Sequence, residues 1–367
     1  MKSNITLAAV SLALTAVFTL PALAADATKP ATDQKPDADT ILRQMSSKVG
    51  AARRFSFEAT REIDPTLIAG RNLPQKARIE ISVMRPNKVM SKSTSSGDAR
   101  NFYADGRNLS ELDVTKNLYA TVPMHTSIDG LAAHIQEKYG FTLPLLEVAN
   151  SDIYQDIRHQ VRGVSYLGRS NYSTGFVGLN STECDRVALS GKLVDAEIWM
   201  GVNDQLPRKL IFTFKNRTGR PQVQFNLSNW NLNAPLTDKD FVFVPPAWAM
   251  KIPMMTSAQI KSAVKRAKGE TALITTDSES ISLGWVAVRG GYGGRGFVAA
   301  GRGYGYGAVA VRGGYYGGVA RLPAGYYGAI PGAYRPVFYG GYNCYYAGGV
   351  YYRPVFYQGN TVYIVVR

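Results

Sequence analysis

The chain is poor in the side chains that carry most chemistry. Its 367 residues hold two cysteines and three histidines. His125, His134 and His159 are too few and too scattered for a metal site or a triad. There is no Gly-x-Ser-x-Gly elbow and no phosphate-binding loop between a strand and a helix. These absences exclude the common hydrolase, metalloenzyme and nucleotide-dependent classes, so the expectation is a protein that is not an enzyme and that uses no cofactor and no metal. Acidic residues are missing from a whole quarter of the chain: all 27 Asp and Glu precede residue 284. After the N-terminal region no apolar run approaches the roughly 20 residues that a membrane-crossing helix needs.

The N-terminal region has the one long apolar run. Lys2 precedes Ile5 to Leu20, and Pro21-Ala22-Leu23-Ala24 places small residues where a signal peptidase reads. This pattern predicts export, with cleavage after Ala24. Residues 25–38, rich in Ala, Thr, Pro, Lys and Asp, read as a flexible leader. The net charge of +15 is the charge of a chain that meets anionic material. In an exported protein that means envelope components, and no nucleic acid is expected.

Asp37 to Thr40 cap an amphipathic helix carrying Ile41, Leu42, Met45 and Val49. Thereafter apolar residues alternate with polar ones. Phe55, Phe57 and Ala59 begin the pattern, and Ala77, Ile79, Ile81 and Val83 repeat it. Short strands continue to Val122, with Ala104-Asp105-Gly106 as a hairpin turn. A helical interlude follows: Ser127 caps Ile128 to Tyr139, Gly140 stops it, and two short helices run through Leu143–Leu146 and Ser151–His159. Strands resume as far as Asn231. Each has one dry and one wet face, as in an antiparallel sheet with helices laid on one side. On one of them Glu183 and Asp185 flank Cys184 on a shared face; Arg186 beside them favours a solvated charge pair over acid–base chemistry.

Particular stretches then resemble a known family. They are Phe55-Ser56-Phe57, Met84-Arg85-Pro86-Asn87-Lys88, Phe102 to Gly106, Cys184 to Leu189, Asp195 to Met200, Leu206 to Leu210, Pro221-Gln222, Trp230, Phe241 to Pro246 and Ala249 to Ile252. From about Asp39 to Met254 the chain resembles a bacterial family of predicted periplasmic proteins of unknown function, itself similar to the LolA/LolB-like lipoprotein carriers. The resemblance implies an α+β fold: a strongly curved antiparallel β half-barrel covered by helices. In the carriers that shape encloses an apolar cavity for acyl chains. For this family lipid binding follows only by analogy of fold. By that analogy Leu131, Ile135, Tyr139, Phe141, Leu145 and Leu146 form a lid. Phe57, Ile81, Val83, Trp199, Phe212, Phe214 and Phe225 form the opposite wall. For each of these residues closed core is the plainer reading.

Beyond the resemblance lie residues 256–283, a basic helix with Lys261, Lys265, Arg266 and Lys268 followed by a linker. The segment 284–367 carries 22 of the 36 glycines, 16 of the 22 tyrosines and eight arginines, without lysine. Two internal repeats mark it as low-complexity: Val286 to Tyr292 with Val309 to Tyr315, and Tyr334 to Tyr339 with Tyr352 to Tyr357. Glycine raises the entropy cost of ordering, so the tail is expected to be disordered, with only Thr361 to Val366 patterned as a strand. Cys184 and Cys344 would tie tail to body if they paired, which spacing alone leaves open. Two functional readings stand. One is a non-enzymatic periplasmic protein of domain 39–255 that takes a lipid or acyl chain. The other is an envelope structural or adhesion protein whose cationic tail contacts anionic components.

Overall fold

The computed structural model describes residues 36–67, 73–174, 180–259, 262, 307–308, 321–322 and 325–366. The expected signal peptide, nearly all of the leader and the face of the expected basic helix lie outside these residues.

Helix α1 (Ala38–Gly50) starts where the Asp37 carboxylate accepts a hydrogen bond from the Thr40 amide at 2.9 Å. It buries Ile41, Leu42, Met45 and Val49. Strands β1 (Arg54–Ile63), β2 (Gln75–Met84), β3 (Lys88–Ser95), β4 (Asp98–Ala104), β5 (Asn108–Asp113) and β6 (Leu118–Pro123) follow as a meander. The turn between β4 and β5 forms because Asp105 accepts from the amides of Arg107 and Asn108, both at 2.7 Å, while Gly106 takes φ +91°.

Helix α2 (Ile128–Tyr139) ends at Gly140, whose φ of +77° lets its amide close the last turn. A 3-10 turn (Leu146–Ala149) and α3 (Ile153–Arg158) complete the helical cover. Strands β7 (Gly163–Thr174), β8 (Asn180–Ser190), β9 (Val194–Gly201), β10 (Pro207–Phe214) and β11 (Gln222–Asn231) return as a second meander, and β12 (Met250–Lys251) runs parallel to β6.

These strands form one twelve-stranded sheet in the order β12-β6-β5-β4-β3-β2-β1-β11-β10-β9-β8-β7. All neighbours are antiparallel except β12 and β6, and β12 and β7 are its two ends, so the sheet is not closed. Strand β1 joins the two meanders, pairing Phe57 with Ile81 of β2 and Arg61 with Phe225 of β11. Alternate residues of the strands meet the helices in one continuous apolar core. Within it Phe57 stacks on Trp230 at 4.4 Å, and the Trp230 indole N–H donates to the Pro207 carbonyl. Arg85 fastens the cover to the sheet, donating from Nε to Ala52 O at 3.1 Å and from Nη2 to Asn150 O at 3.2 Å.

The C-terminal residues depart from expectation. A two-residue pair, β13 (Gly307–Ala308) with β14 (Arg321–Leu322), precedes a five-stranded antiparallel sheet. Its strands are β15 (Tyr326–Tyr327), β16 (Arg335–Tyr339), β17 (Tyr342–Ala347), β18 (Val350–Tyr357) and β19 (Asn360–Val366). The expectation of disorder counts glycine only as an entropy cost. Here glycines sit in the turns: Gly340-Gly341, Gly348-Gly349 and Gly359 all have positive φ. Tyrosine and valine are left to form the strands. The Pro-containing repeats become β16 and β18.

This sheet docks on the first. Phe356 is fully buried in the main core. Its amide donates to Pro253 O at 2.9 Å and its carbonyl accepts from the Met255 amide at 2.8 Å. Phe356→Ala is therefore expected to cost about 3–5 kcal/mol in urea unfolding. Phe338→Ala, in the same sheet but 71% exposed, should change stability by no more than about 0.5 kcal/mol. Equal, small effects would mean that the C-terminal sheet contributes nothing to the fold.

Candidate ligand-binding face

The sequence assigned thirteen residues to a lid and wall, and the structure brings twelve of them together. Leu131, Ile135 and Tyr139 point from α2 into the sheet, Phe141, Leu145 and Leu146 follow on the connecting chain, and Phe57, Ile81, Val83, Phe212, Phe214 and Phe225 face them from the strands. All twelve are buried. Phe141 packs on Phe102 of β4 at 5.7 Å, and Phe225 meets Phe212 edge-on at 6.2 Å.

Trp199 is the exception. On β9 it is Ile198 and Met200 that enter the core, so Trp199 projects from the opposite face. There it lies between Arg186 and Lys209, 4.7 Å and 5.4 Å from its ring, and donates to Glu197. The parity of Glu197 and Trp199 on one strand carried this information. Glu183 and Asp185 lie on the other face of β8, the one that Val187 and Leu189 share, where Arg169 holds them at 3.8 Å and 2.8 Å.

Among the described residues the helix-covered face is closely packed. Beside Val161, Leu189, Val194, Ala196 and Phe212 lies a void of about 10 Å³, barely the size of one water. A larger depression of about 440 Å³ sits elsewhere, on the polar side of α1 against Gln205. The connection between α2 and α3 is irregular, and in it Leu145 takes φ +61°. A leucine in the left-handed region carries a cost of about 1–3 kcal/mol.

Cys184 and Cys344 are both free and buried, on β8 and β17. Each thiol lies near a carbonyl of its own neighbourhood, Thr182 O for Cys184 and Tyr339 O for Cys344. Burial pushes the Cys184 thiol up to about 11, which leaves it a poor nucleophile.

At one end of the covered face the apolar surface gives way to a buried ion cluster that the sequence reading missed. Asp98 and Arg100 of β4 share a face with Phe102; Glu111 and Asp113 of β5 share one with Leu109. The fully buried Arg100 reaches Asp98 at 3.3 Å, Glu111 at 3.0 Å and Asp113 at 3.2 Å. It also donates to Gly359 O, in the turn between β18 and β19, at 3.0 Å. The Thr361 hydroxyl donates to Asp113 at 2.6 Å. The turn lies so close that a Cβ on Gly359 would come within 3.1 Å of the Phe141 ring. The available signal was the period-two spacing of the four charges in line with apolar residues. Charges at alternate positions ordinarily mark a wet face, and here they mark a dry one.

One guanidinium, with Lys116 on Asp113, cannot neutralise three buried carboxylates. Burial works against the Arg100 charge, but Asp113, Asp98 and Glu111 together outweigh it and hold its pKa above the ordinary value. Burial also acts on Asp113, where Arg100, Lys116 and Thr361 outweigh it and hold the carboxyl low. Glu111 is left over. Burial pushes it from 4.5 to about 7, and among the described residues its Oε2 has no hydrogen-bond partner. Its folded pKa is raised, so its share of stability is complete below pH 4.5 and is lost as the pH rises through about 7. Urea midpoints should fall between about pH 5 and about pH 8 more steeply in the wild type than in Glu111→Gln. Parallel profiles would place the proton elsewhere.

Comparison with known proteins completes the site. Residues 38–255 match the model of a family described as predicted periplasmic protein, DUF2092. No curated protein matches the chain. Similar solved structures include an uncharacterized conserved protein from Thermus thermophilus, at 9% identity and TM-score 0.34, covering 58% of this chain and 98% of that one. LprF from Mycobacterium bovis is similar at 13% identity and TM-score 0.34, covering 59% and 99%. A LolA superfamily protein from Nitrosomonas europaea is similar at 11% identity and TM-score 0.28, covering 57% and 99%. With well over half of its length matched by the family model, this periplasmic chain belongs to the DUF2092 family of predicted periplasmic proteins.

Proposed function

We propose that this chain is a non-enzymatic periplasmic binding protein that takes a lipid or other apolar ligand, above all an acyl chain, between its sheet and its helical cover. In this reading the sheet curves as a half-barrel, the N-terminal 24 residues are removed on export, and residues 39–255 are the binding domain. The observation that carries it is the nature of the cover. Beside α1, the part of the cover between β6 and β7 is one three-turn helix, a 3-10 turn and a six-residue helix, joined through a leucine at φ +61°.

A cover built this way has little regular structure to lose when it moves, and it gives up the strain at Leu145. An entering acyl chain replaces the side chains it displaces. Each buried methylene contributes about 0.8 kcal/mol, so a chain of roughly sixteen carbons brings about 13 kcal/mol against the cost of opening. Leu131, Ile135, Tyr139, Phe141, Leu145, Leu146 and Phe225 would line the path. Trp199, on the outer face, would not.

The probe N-phenyl-1-naphthylamine tests this in a fluorescence titration. Saturable uptake by the wild-type protein is expected, weakened roughly tenfold by Leu146→Gln with a cooperative melt retained. Trp199→Phe should leave uptake unchanged. A folded wild type that takes up no probe would remove the proposal.

A further inference from the structure

The outward part of the C-terminal sheet carries an arrangement that the apolar-ligand reading does not use. Register places Arg335 of β16 opposite Tyr346 of β17, Tyr339 opposite Tyr342, and Tyr346 opposite Tyr351 of β18. With Arg353, two positions along from Tyr351, these six side chains share one face. Tyr339 and Tyr351 stack at 3.7 Å with their planes 4° apart, and Tyr346 lies 5.1 Å from Tyr351. The Arg353 guanidinium sits 3.5 Å over the Tyr342 ring, and that of Arg335 5.3 Å from Tyr346. Arg335, Tyr339 and Tyr342 are exposed; Tyr346, Tyr351 and Arg353 are half-buried.

Charge decides what such a face can receive. Among the described residues neither guanidinium is paired with a carboxylate, and residues 284–367 contain no Asp or Glu at all. A guanidinium held over a tyrosine ring keeps N–H donors that can receive a carboxylate with two parallel hydrogen bonds. The free faces of the tyrosines carry the negative side of the ring quadrupole, which attracts the C–H face of a pyranose. The complement is a polymer that alternates flat rings with carboxylates.

We propose that this face is a binding site for acidic polysaccharide, with Arg335 and Arg353 taking the carboxylates and Tyr339, Tyr342, Tyr346 and Tyr351 the sugar faces. The proposal needs the periplasmic location but not the apolar-ligand reading. The location also sets nucleic acid aside, although bases would stack on the same rings. A membrane surface would satisfy the arginines but would leave four clustered rings without their ring-shaped partners.

Affinity electrophoresis of the full-length mature protein in gels containing polygalacturonate provides the test, with neutral dextran and vesicles of phosphatidylglycerol as alternatives. Saturable retardation by polygalacturonate is expected, and not by dextran. The double variant Arg335→Gln, Arg353→Gln should weaken it roughly tenfold, and Tyr342→Leu by about fivefold. All three side chains lie on the surface of the sheet, so folding should be retained, as a melting curve would show. The naphthylamine uptake of these variants should match the wild type, which separates this site from the covered face. The proposal is overturned by absence of retardation, by equal retardation of wild type and variants, or by equal retardation in dextran. It is also overturned if the same variants lose vesicle binding while polygalacturonate is ignored, which would assign the face to a membrane.

Discussion

Arg100 is the residue on which the rest of the structure depends. A guanidinium with no exposure is tolerable only when its charge and its N–H groups are met, and here three carboxylates and a backbone carbonyl meet them. Two carboxylates come from the next strand and one from its own. The carbonyl comes from Gly359, 259 positions further along the chain. The C-terminal turn is thus part of the solvation shell of a charge inside the first sheet, and removing it would leave that charge facing water or nothing. Breaking a buried pair of this kind costs roughly 3–5 kcal/mol, far more than a surface pair. Glycine at 359 follows from the same constraint. A positive φ and a close approach to Phe141 leave no room for a side chain.

The covered face therefore has two closures of different character. Over much of its area it is closed by apolar side chains from the helices and their connections, a closure held mainly by the hydrophobic effect. Over β4 and β5 it is closed by the turn between β18 and β19, through hydrogen bonds and charge. The first can exchange one apolar partner for another without changing its chemistry, which is what acyl-chain binding would require. The second is selective, because only a carbonyl and a hydroxyl correctly placed satisfy Arg100 and Asp113. The outward face of the C-terminal sheet is left free of this role, and among the described residues its arginines stand without acidic partners.

Much of the architecture was legible locally. Period-two alternation located the strands of the first meander, Asp105-Gly106 located a turn, and Ser127 with Gly140 bounded α2, because each signal acts over a few residues. Three features were not read, each for its own reason. The cluster around Arg100 depends on pairing between strands and on a contact from the far end of the chain, neither of which leaves a local mark. Order in the C-terminal sheet was hidden by composition: a glycine count does not distinguish glycine in turns from glycine in strands. The face of Trp199 was legible and was missed, since Ile198 and Met200 had already claimed the dry side of β9. For the twelve residues of the covered face, sequence parity gave the correct side but could not say whether that side is cavity or closed core.

Native-state hydrogen exchange of the wild-type protein tests most directly whether the C-terminal sheet is one cooperative body with the first. Amides of β18 and β19 should exchange as slowly as those of β1 and β2, and through the same global opening. Exchange of β18 and β19 at the rate of an unstructured chain, with β1 and β2 still protected, would contradict the account.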